Sequence, residues 1–554
     1  MSSLREPTDS REFTRAEGLA LCLSMIGVQL SSEVLNQWGL YFYSPSEGVG
    51  RTIYVAMGLV GIIFVTGTLW DAITDPLIGT WSDRTKSTPG LFRRFRPSGR
   101  RRPFIFWGSI LMTFTAIAFW YPPVEGTSTV NLVYGTILLC LHWTMFTITV
   151  VPLVSLPPEI ARSEAARVRL GTWTAVGMIV GLGMAAVLPG QLIVLLDPAR
   201  TDARLSIVVR GALDAGQAQR MAAAVSPDIP NERFTIVEGD EQTTLQIAGE
   251  AVADLDAAAA RVAVSEIAGE QMAAFDYQPG SFSPKGYRRL AAVMAFVSLV
   301  LLQLPVWVVH ERYDSTVAGA AKDSFIEGVA NAFHNRPFMV YAISFFFFTI
   351  GFLAAQRALP YWAELGLGGD EGTVTLLMIP FLLTALASYA VIPYVARRLH
   401  VKWMMVVAFL IIGSGLPWMY VIGVSGLSTS AKMISGALLF GYCGIGQGIM
   451  YVMMMPMLGQ AIDYDEARTG HRREALYNGL SGVAWKAAMG GSIAIASLSM
   501  RYGGHSVDHA TGVFLVGPIA GLFAASGLIA MLFYPVLRSH PSDAESPTYH
   551  GTES

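Results

Sequence analysis

Apolar residues along this chain come in long runs separated by short polar stretches, not in the alternation of a strand or the single stripe of a surface helix. A helix needs about 20 mostly apolar residues to cross roughly 30 Å of hydrocarbon. Twelve stretches meet that length: 18–43, 53–80, 104–121, 130–153, 168–196, 288–309, 338–362, 372–395, 403–424, 431–457, 477–500 and 511–534. The pattern predicts an all-α membrane protein of 12 transmembrane helices. The connection between spans five and six, residues 197–286, is far longer than an ordinary loop. Within it, Leu205–Val209, Phe234–Val237 and Thr244–Ile247 alternate like strands, and Ala-rich stretches near 215–224 and 252–272 read as helices. A small inserted α+β domain is the reading. Disorder is the alternative, because Ala, Asp and Glu dominate parts of it.

Composition agrees with the pattern. Apolar residues make up 53% of the chain and charged residues 14%, which excludes an ordinary soluble domain. The first apolar run is too long for a cleavable signal peptide, so none is expected. Cys22, Cys140 and Cys443 fall in three different spans and suit neither a disulfide framework nor a metal cluster. Basic residues gather after span two (Arg84, Lys86, Arg93, Arg94, Arg96, Arg100, Arg101, Arg102) and after span eight (Arg397, Arg398, Lys402). Positive connections stay cytoplasmic. Both termini are therefore expected in the cytoplasm, with 197–286 extracytoplasmic, across a plasma or inner membrane. The insert carries 7 Lys/Arg against 14 Asp/Glu. It has no histidine, cysteine or nucleophile–base pattern, so no enzymatic role follows; docking of an unknown partner, gating or a lid remain open. The domain reading is helices 1–5 in 1–196, the insert in 197–286, helix 6 in 287–310, a cytoplasmic linker in 311–337, the second bundle in 338–536 and a tail in 537–554. With a net charge of −3 and basic residues confined to connections, nothing points to nucleic-acid binding, and none is expected.

The chemistry lies in polar residues inside the spans. Asp71 and Asp75 sit at i, i+4 in Trp70-Asp-Ala-Ile-Thr-Asp-Pro76, on one helical face. A carboxylate in hydrocarbon costs roughly 2.5–3.5 kcal/mol on insertion scales. Two on one face call for a compensating cation or proton. Gln29, Glu33, Asn36 and Gln37 form a second stripe on span one. It lines either a wet cavity or an interhelical hydrogen-bond network. Lys486 lies about ten residues into span eleven, about 14 Å deep and near the midplane. It is expected to pair with Asp71 or Asp75, as a coupling lysine or a structural ion pair. His142, beside Trp143, reads as a packing residue. Arg357, next to Gln356 near the outer end of span seven, either snorkels or meets an anionic group. Asp83-Arg84, with Arg100–Arg102 at the start of the next span, can clip two helices by charge.

Several motifs together resemble the glycoside–pentoside–hexuronide:cation symporters of the major facilitator superfamily, whose familiar member is the melibiose permease. They are Trp70-Asp71…Asp75-Pro76…Gly79, Asp83-Arg84-Thr85…Gly99-Arg-Arg-Arg-Pro-Phe104, Pro157-Pro-Glu159 and Ile462-Asp463-Tyr464-Asp465-Glu466…Arg472-Arg473-Glu474, with Lys486 beyond. The resemblance covers both halves of the chain but not 197–286. It implies two six-helix bundles and alternating access around a central site. It also implies a cation site at Asp71 and Asp75 with Thr147 and Lys486 nearby, holding Na⁺ or H⁺. The family's sugar-holding aspartates of spans one and four and arginine of span five align with Gln29, Val150 and Ala175. The sugar grip is therefore altered. The related sodium-dependent lysophosphatidylcholine symporters share the cation and lysine motifs.

The expectation is a cation-coupled symporter, not an enzyme, with no cofactor beyond its coupling ion, monomeric and surrounded by lipid. Its substrate is a glycoside or sugar conjugate, or else a lysolipid-like amphiphile. Asp71, Asp75 and Thr147 take the cation. Lys486, Gln29, Glu33, Asn36, Gln37, Trp173 and Arg357 serve the substrate pathway. Asp83, Arg84, Arg101 and Asp463 form the cytoplasmic gate. A non-transporting receptor or scaffold is the reading from another class.

Overall fold

The computed structural model describes residues 13–49, 51–85, 99–161, 164–197, 204–211, 213–225, 234–238, 242–248, 252, 255–278, 284–311, 325–396, 398–470 and 473–535. The motif residues Lys86, Arg93, Arg94, Arg96, Arg397 and Arg472, residues 312–324 of the linker and the tail 537–554 lie outside them, as do the side chains of Asp83, Arg84 and Glu159.

The first half opens with α1 (Arg15–Tyr43), α2 (Met57–Arg84), α3 (Arg102–Ala118), α4 (Thr129–Val154), the short α5 (Leu156–Ile160) and α6 (Glu164–Leu196). Its cap is legible: Thr14 accepts from the Glu17 N–H and the Glu17 carboxylate takes the Thr14 N–H, a capping box that fixes the start of α1. After α6 come β1 (Arg204–Arg210), α7 (Ala215–Val225), β2 (Phe234–Glu238), β3 (Gln242–Ala248), α8 (Ala257–Ala268) and β4 (Met272–Gln278). The chain then returns to long helices: α9 (Lys285–Val308), α10 (Phe325–His334), α11 (Arg336–Tyr361), α12 (Glu371–Ala396), α13 (Val401–Gly415), α14 (Trp418–Val424), α15 (Thr429–Thr469), α16 (Glu474–Gly503) and α17 (Thr511–Leu532).

Among the described residues, 11 helical segments are long and apolar enough to cross a membrane, and α3 is a shorter apolar helix of 17 residues. Three details differ from the periodicity. The predicted span 403–424 is broken into α13 and α14, because Pro417 caps α14 and cannot continue α13. The predicted span 338–362 ends in a π turn over Trp362–Gly366. The helix of span ten runs on to Thr469, 41 residues and about 61 Å, twice what the hydrocarbon needs. Its polar end, Asp463–Thr469, reads as loop by composition yet winds as helix, stopping where Gly470 takes a left-handed backbone.

Packing repeats between the halves. In the first, α1 contacts α6 and α9, α2 contacts α4, and α3 contacts α4 and α9. In the second, α11 contacts α16 and α17, α12 contacts α15, and α13 contacts α15 and α17. Each first-half pairing has its counterpart six spans on, so the two halves are internal repeats of one bundle. Small residues permit the closest approaches: a Cβ at Gly177 of α6 would stand 2.0 Å from the Cys22 carbonyl of α1. The halves meet through α2–α16, α6–α12 and α1–α11.

Between α6 and α9 the strands form one antiparallel sheet of order β2-β3-β1-β4. With α7 and α8 packed together this is a split βαββαβ unit. Leu205, Ile207, Val209, Leu245 and Ile247 share a core with Ala218, Met221 and Val264, separate from the cores of the helical bundles. β4 was not expected. The alternation of Ala273, Phe275 and Tyr277 is weak, and part of the segment is masked by the Ala-rich run before it. Asp197 and Pro284, the feet of this insert, stand beside Tyr41 and Arg51 at the α1–α2 end of the molecule. The start of α1 lies at the other end, where Glu17 accepts the His310 N–H at 3.1 Å.

Candidate functional site

α2 presents Asp71 and Asp75 toward α16 and α4, the two helices it packs against. Lys486 of α16 reaches between them. Its Nζ is 2.8 Å from Asp71 Oδ2, donates to Asp75 Oδ2, and lies 3.2 Å from the Asp71 carbonyl. Thr147 of α4 completes the cluster: its hydroxyl oxygen is 2.9 Å from Asp71 Oδ1 and 2.9 Å from Asp75 Oδ1. A hydroxyl carries one proton and ionised carboxylates only accept. The lysine supplies three hydrogens and three contacts use them. The one threonine hydrogen is therefore shared between the two carboxylates or given to one of them, and a bound proton or cation would add attraction there. Pro76 follows Asp75 without an N–H, so the Ala72 carbonyl is released from the helix ladder beside the pair. Two carboxylates, a hydroxyl and a freed carbonyl make a hard-oxygen donor set, suited to a cation such as Na⁺.

The cluster opens into a cavity of about 220 Å³ whose lining includes Glu33, Asn36, Asp71, Trp143, Arg357 and Lys486. Both halves contribute. Arg357 of α11 is 3% exposed and its Nη2 lies 3.4 Å from Asn36 Oδ1 of α1. Arg357 therefore does not snorkel; it turns inward across the bundle interface.

The other candidates fall elsewhere. Gln37 is buried beside the stripe rather than on the cavity wall. Gln29 lies against Gly181 of α6. Trp173 packs by Gly18 near the start of α1, away from the cavity. Val150 belongs to an apolar cluster with Leu153 and Met25, and neither it nor Ala175 lines the cavity. His142 is fully buried with Nδ1 3.4 Å from Thr115 Oγ1.

At the gate positions, Arg101 is buried, its guanidinium 3.5 Å from Ser82 Oγ, and its backbone N–H donates to Glu311. The N–H groups of Arg100 and Arg102 donate to the same carboxylate. The basic cluster thus clips the start of α3 to the chain just beyond α9, by N–H groups as much as by charge. Gly99 has φ of +140° and a Cβ there would meet Glu311 at 2.6 Å, so only glycine fits. Asp463 is exposed, whereas Asp465 is 1% exposed and pairs with Arg473 at 3.2 Å and Arg468 at 3.4 Å.

A second polar cluster, absent from the sequence reading, closes the end that carries the insert. Arg51, from the α1–α2 connection, pairs with Glu364 of the π turn at 3.1 Å and with Glu371 at the start of α12. Tyr41 donates to Glu364 at 2.7 Å, Tyr287 of α9 donates to Glu371 at 2.8 Å, and Tyr361 donates to the Ser44 carbonyl at 2.6 Å. All five contacts join the first half to the second.

A family model described as MFS/sugar transport protein matches residues 21–215 and 241–538. The putative glycoside/cation symporter YagG of Escherichia coli (strain K12) is 28% identical over 133 residues, 24% of this chain and 25% of that protein. The aligned part of the chain thus spans about a quarter of that relative's length. The uncharacterized symporter sll1374 of Synechocystis sp. is 22% identical over 578 residues, covering 93% of each chain. Among solved structures, the nucleoside transporter NupG shares the fold with a TM-score of 0.57 at 9% identity, over 94% of this chain and 99% of that one.

Proposed function

The chain belongs to the MFS/sugar transport protein family, and on that premise we propose that it is a secondary symporter moving a sugar or glycoside together with Na⁺ or H⁺. Membership makes it an integral membrane transporter and not an enzyme. On our reading α3 serves as a twelfth span, the termini are cytoplasmic by the positive-inside rule, and the insert is extracytoplasmic.

The observation that carries the coupling is the Thr147 hydroxyl standing 2.9 Å from both carboxylates, with one hydrogen between them. Asp71, Asp75 and Thr147 would hold the ion, which supplies the missing positive charge. Lys486 belongs to the second half and the carboxylates to the first, so ion binding changes how strongly the halves hold each other. That is what alternating access requires of a coupling site. The buried Arg51 cluster keeps the insert end shut, so this conformation is closed toward that side. The name of YagG supports a glycoside as cargo.

Asp75→Asn tests the reading. Normal surface expression, with cation stabilisation and gradient-driven uptake lost, is the expected result. Uptake at the wild-type rate refutes coupling through this site.

A further inference from the structure

Arg357 has no role in the coupling cluster, yet it is the most deeply buried charge on the cavity wall. Its Nη1 has no hydrogen-bond partner, and Nη2 has only the long contact to Asn36. Buried guanidinium groups are normally satisfied, because an unmet donor costs the full desolvation of that group. Glu33 lines the same cavity within electrostatic reach of Arg357. Among the described residues, no direct ion pair joins the two. Asn36 stands between them, accepting from Arg357 and hydrogen-bonding Glu33, so the carboxylate and guanidinium face a common gap that this one amide only partly spans.

What fills such a gap must accept from Arg357 and donate to Glu33. A hydroxyl does both. The amides of Asn36 and Gln356 on the same wall can also both donate and accept, which suits a ring carrying several adjacent hydroxyls. Trp143 and Trp485 line the same cavity and offer apolar surface to the C–H faces of such a ring. Charge narrows the choice further. Glu33, Asp71 and Asp75, counted as ionised, face Arg357 and Lys486, leaving one negative charge. One monovalent coupling ion neutralises it. A substrate with a net charge of its own would then leave uncompensated charge in a membrane interior, which is expensive.

Resting on the symport reading above, we propose that Glu33 and Arg357 form the sugar-holding subsite of this chain, in place of the altered span-four and span-five positions, and that it takes a neutral glycoside rather than a uronide. Arg357 donates to one ring oxygen or hydroxyl, Glu33 accepts from a neighbouring hydroxyl, and the ring bridges the two halves.

The test uses the full-length purified protein and matched probes: the methyl glycosides of glucose, galactose and xylose, and the methyl glucuronide and galacturonide. Thermal stabilisation is read with and without Na⁺ and across a pH step. The expected result is that at least one neutral glycoside stabilises the wild type, and that the matching uronide binds at least tenfold more weakly. Arg357→Gln and Glu33→Gln should each weaken the neutral probe tenfold or more, with the Na⁺ or pH response serving as the folding control. Equal or tighter binding of the uronide overturns the proposal, as does wild-type glycoside affinity in either variant. A cation response with no glycoside binding at all overturns the subsite while leaving coupling at Asp71 and Asp75 standing. Absence of any cation response, or its survival in Asp75→Asn, removes the symport reading and this proposal with it.

Discussion

Replacing Lys486 with methionine should make the protein bind its coupling cation more tightly while abolishing coupled transport. The lysine and the cation compete for the same two carboxylates. In the structure Lys486 Nζ is 2.8 Å from Asp71 Oδ2 and donates to Asp75. At an effective dielectric of about 20, unit charges about 4 Å apart interact by roughly 4 kcal/mol. The full figure does not apply, because the Asp75 side chain is 40% exposed and its share is screened by solvent. About a third of it, roughly 1.4 kcal/mol, is a conservative value and corresponds to a factor of about ten. Lys486→Met should therefore bind Na⁺ about tenfold more tightly. Without the ion, two carboxylates face each other with no counter-charge, so the cation-free protein should melt below wild type and recover on adding the ion. The assay is a Na⁺ titration of thermal stability at fixed pH, with an acid titration in Na⁺-free buffer as the proton arm. Size-exclusion chromatography verifies folding. Cation binding that is unchanged or weaker in a folded variant refutes the competition and makes Lys486 a structural tether.

Three other outcomes are expected. Arg51→Gln removes the centre of the cluster at the insert end and leaves Glu364 and Glu371 unpaired; breaking a buried pair costs about 3–5 kcal/mol, so the melting temperature should fall and a cysteine placed near Asp71 should label faster from that side. A double variant Arg51→Gln/Glu371→Gln should lose much less than the two single losses added together. Gly177→Leu should prevent assembly of α1 against α6, because even a Cβ there lies 2.0 Å from the Cys22 carbonyl, whereas Gly171→Ala, with nothing within 4 Å, should express and melt like wild type. His505, whose Nε2 is 3.6 Å from Glu47 across the insert end, is held below the usual histidine range by burial, with Glu47 opposing. A base with lowered folded pKa keeps its stability contribution above its unfolded value of about 6.5 and loses it as pH falls below that. His505→Gln should therefore melt with a smaller acid penalty between pH 7.5 and 5.5 than wild type, as differential scanning calorimetry would show.

How far the sequence could be read depends on where a residue's partners lie along the chain. Asp71, Asp75 and Lys486 announce themselves singly, because each is costly in a membrane wherever it finally points. Spacing was a coarser guide to the stripe on α1. Gln29, Glu33, Asn36 and Gln37 span more than 80° of the helix surface at about 100° per residue. The structure takes Glu33 and Asn36 for the cavity although Gln29 projects between them, because Gln29 sits a turn nearer the start of α1, where it meets Gly181 of α6. The Arg51 cluster was invisible: Tyr41, Arg51, Tyr287, Glu364 and Glu371 sit at the ends of different helices, where polar residues are unremarkable. Asp465 was passed over for Asp463 because the last turns of α15 were read as a connection. Once they are helical, the register turns Asp465 inward and leaves Asp463 exposed.

The two kinds of cross-half contact suggest a division of labour in the transport cycle. The Arg51 cluster is made of ion pairs that cost desolvation when they close and regain hydration when they open. Their net hold on the two halves is therefore modest, although cutting one partner alone is severe. An apolar seal of the same area would have no such offset and would resist opening throughout. The contacts at the cavity differ, because water cannot rescue them equally in every state. The two aspartates carry one negative charge more than Lys486 balances, and Arg357 keeps an unmet Nη1, until an ion and a hydroxylated ring arrive. The empty site ties the halves through Lys486 and its aspartates; the ion weakens that tie, and the ring replaces it with contacts to both halves. Occupied by only one of the two ligands, the site keeps either an uncompensated charge or an unmet guanidinium donor. That penalty falls on the rocking step of the half-loaded carrier, which is the step a symporter has to suppress. Arg357→Gln should accordingly do more than weaken sugar binding. Paired with Glu33→Gln, so that the charge tally is unchanged, it removes the unmet donor and should let the cation-only form cross, giving a Na⁺ or H⁺ leak in proteoliposomes that the wild type lacks. A tight variant with no leak would show that the penalty lies with the coupling carboxylates alone.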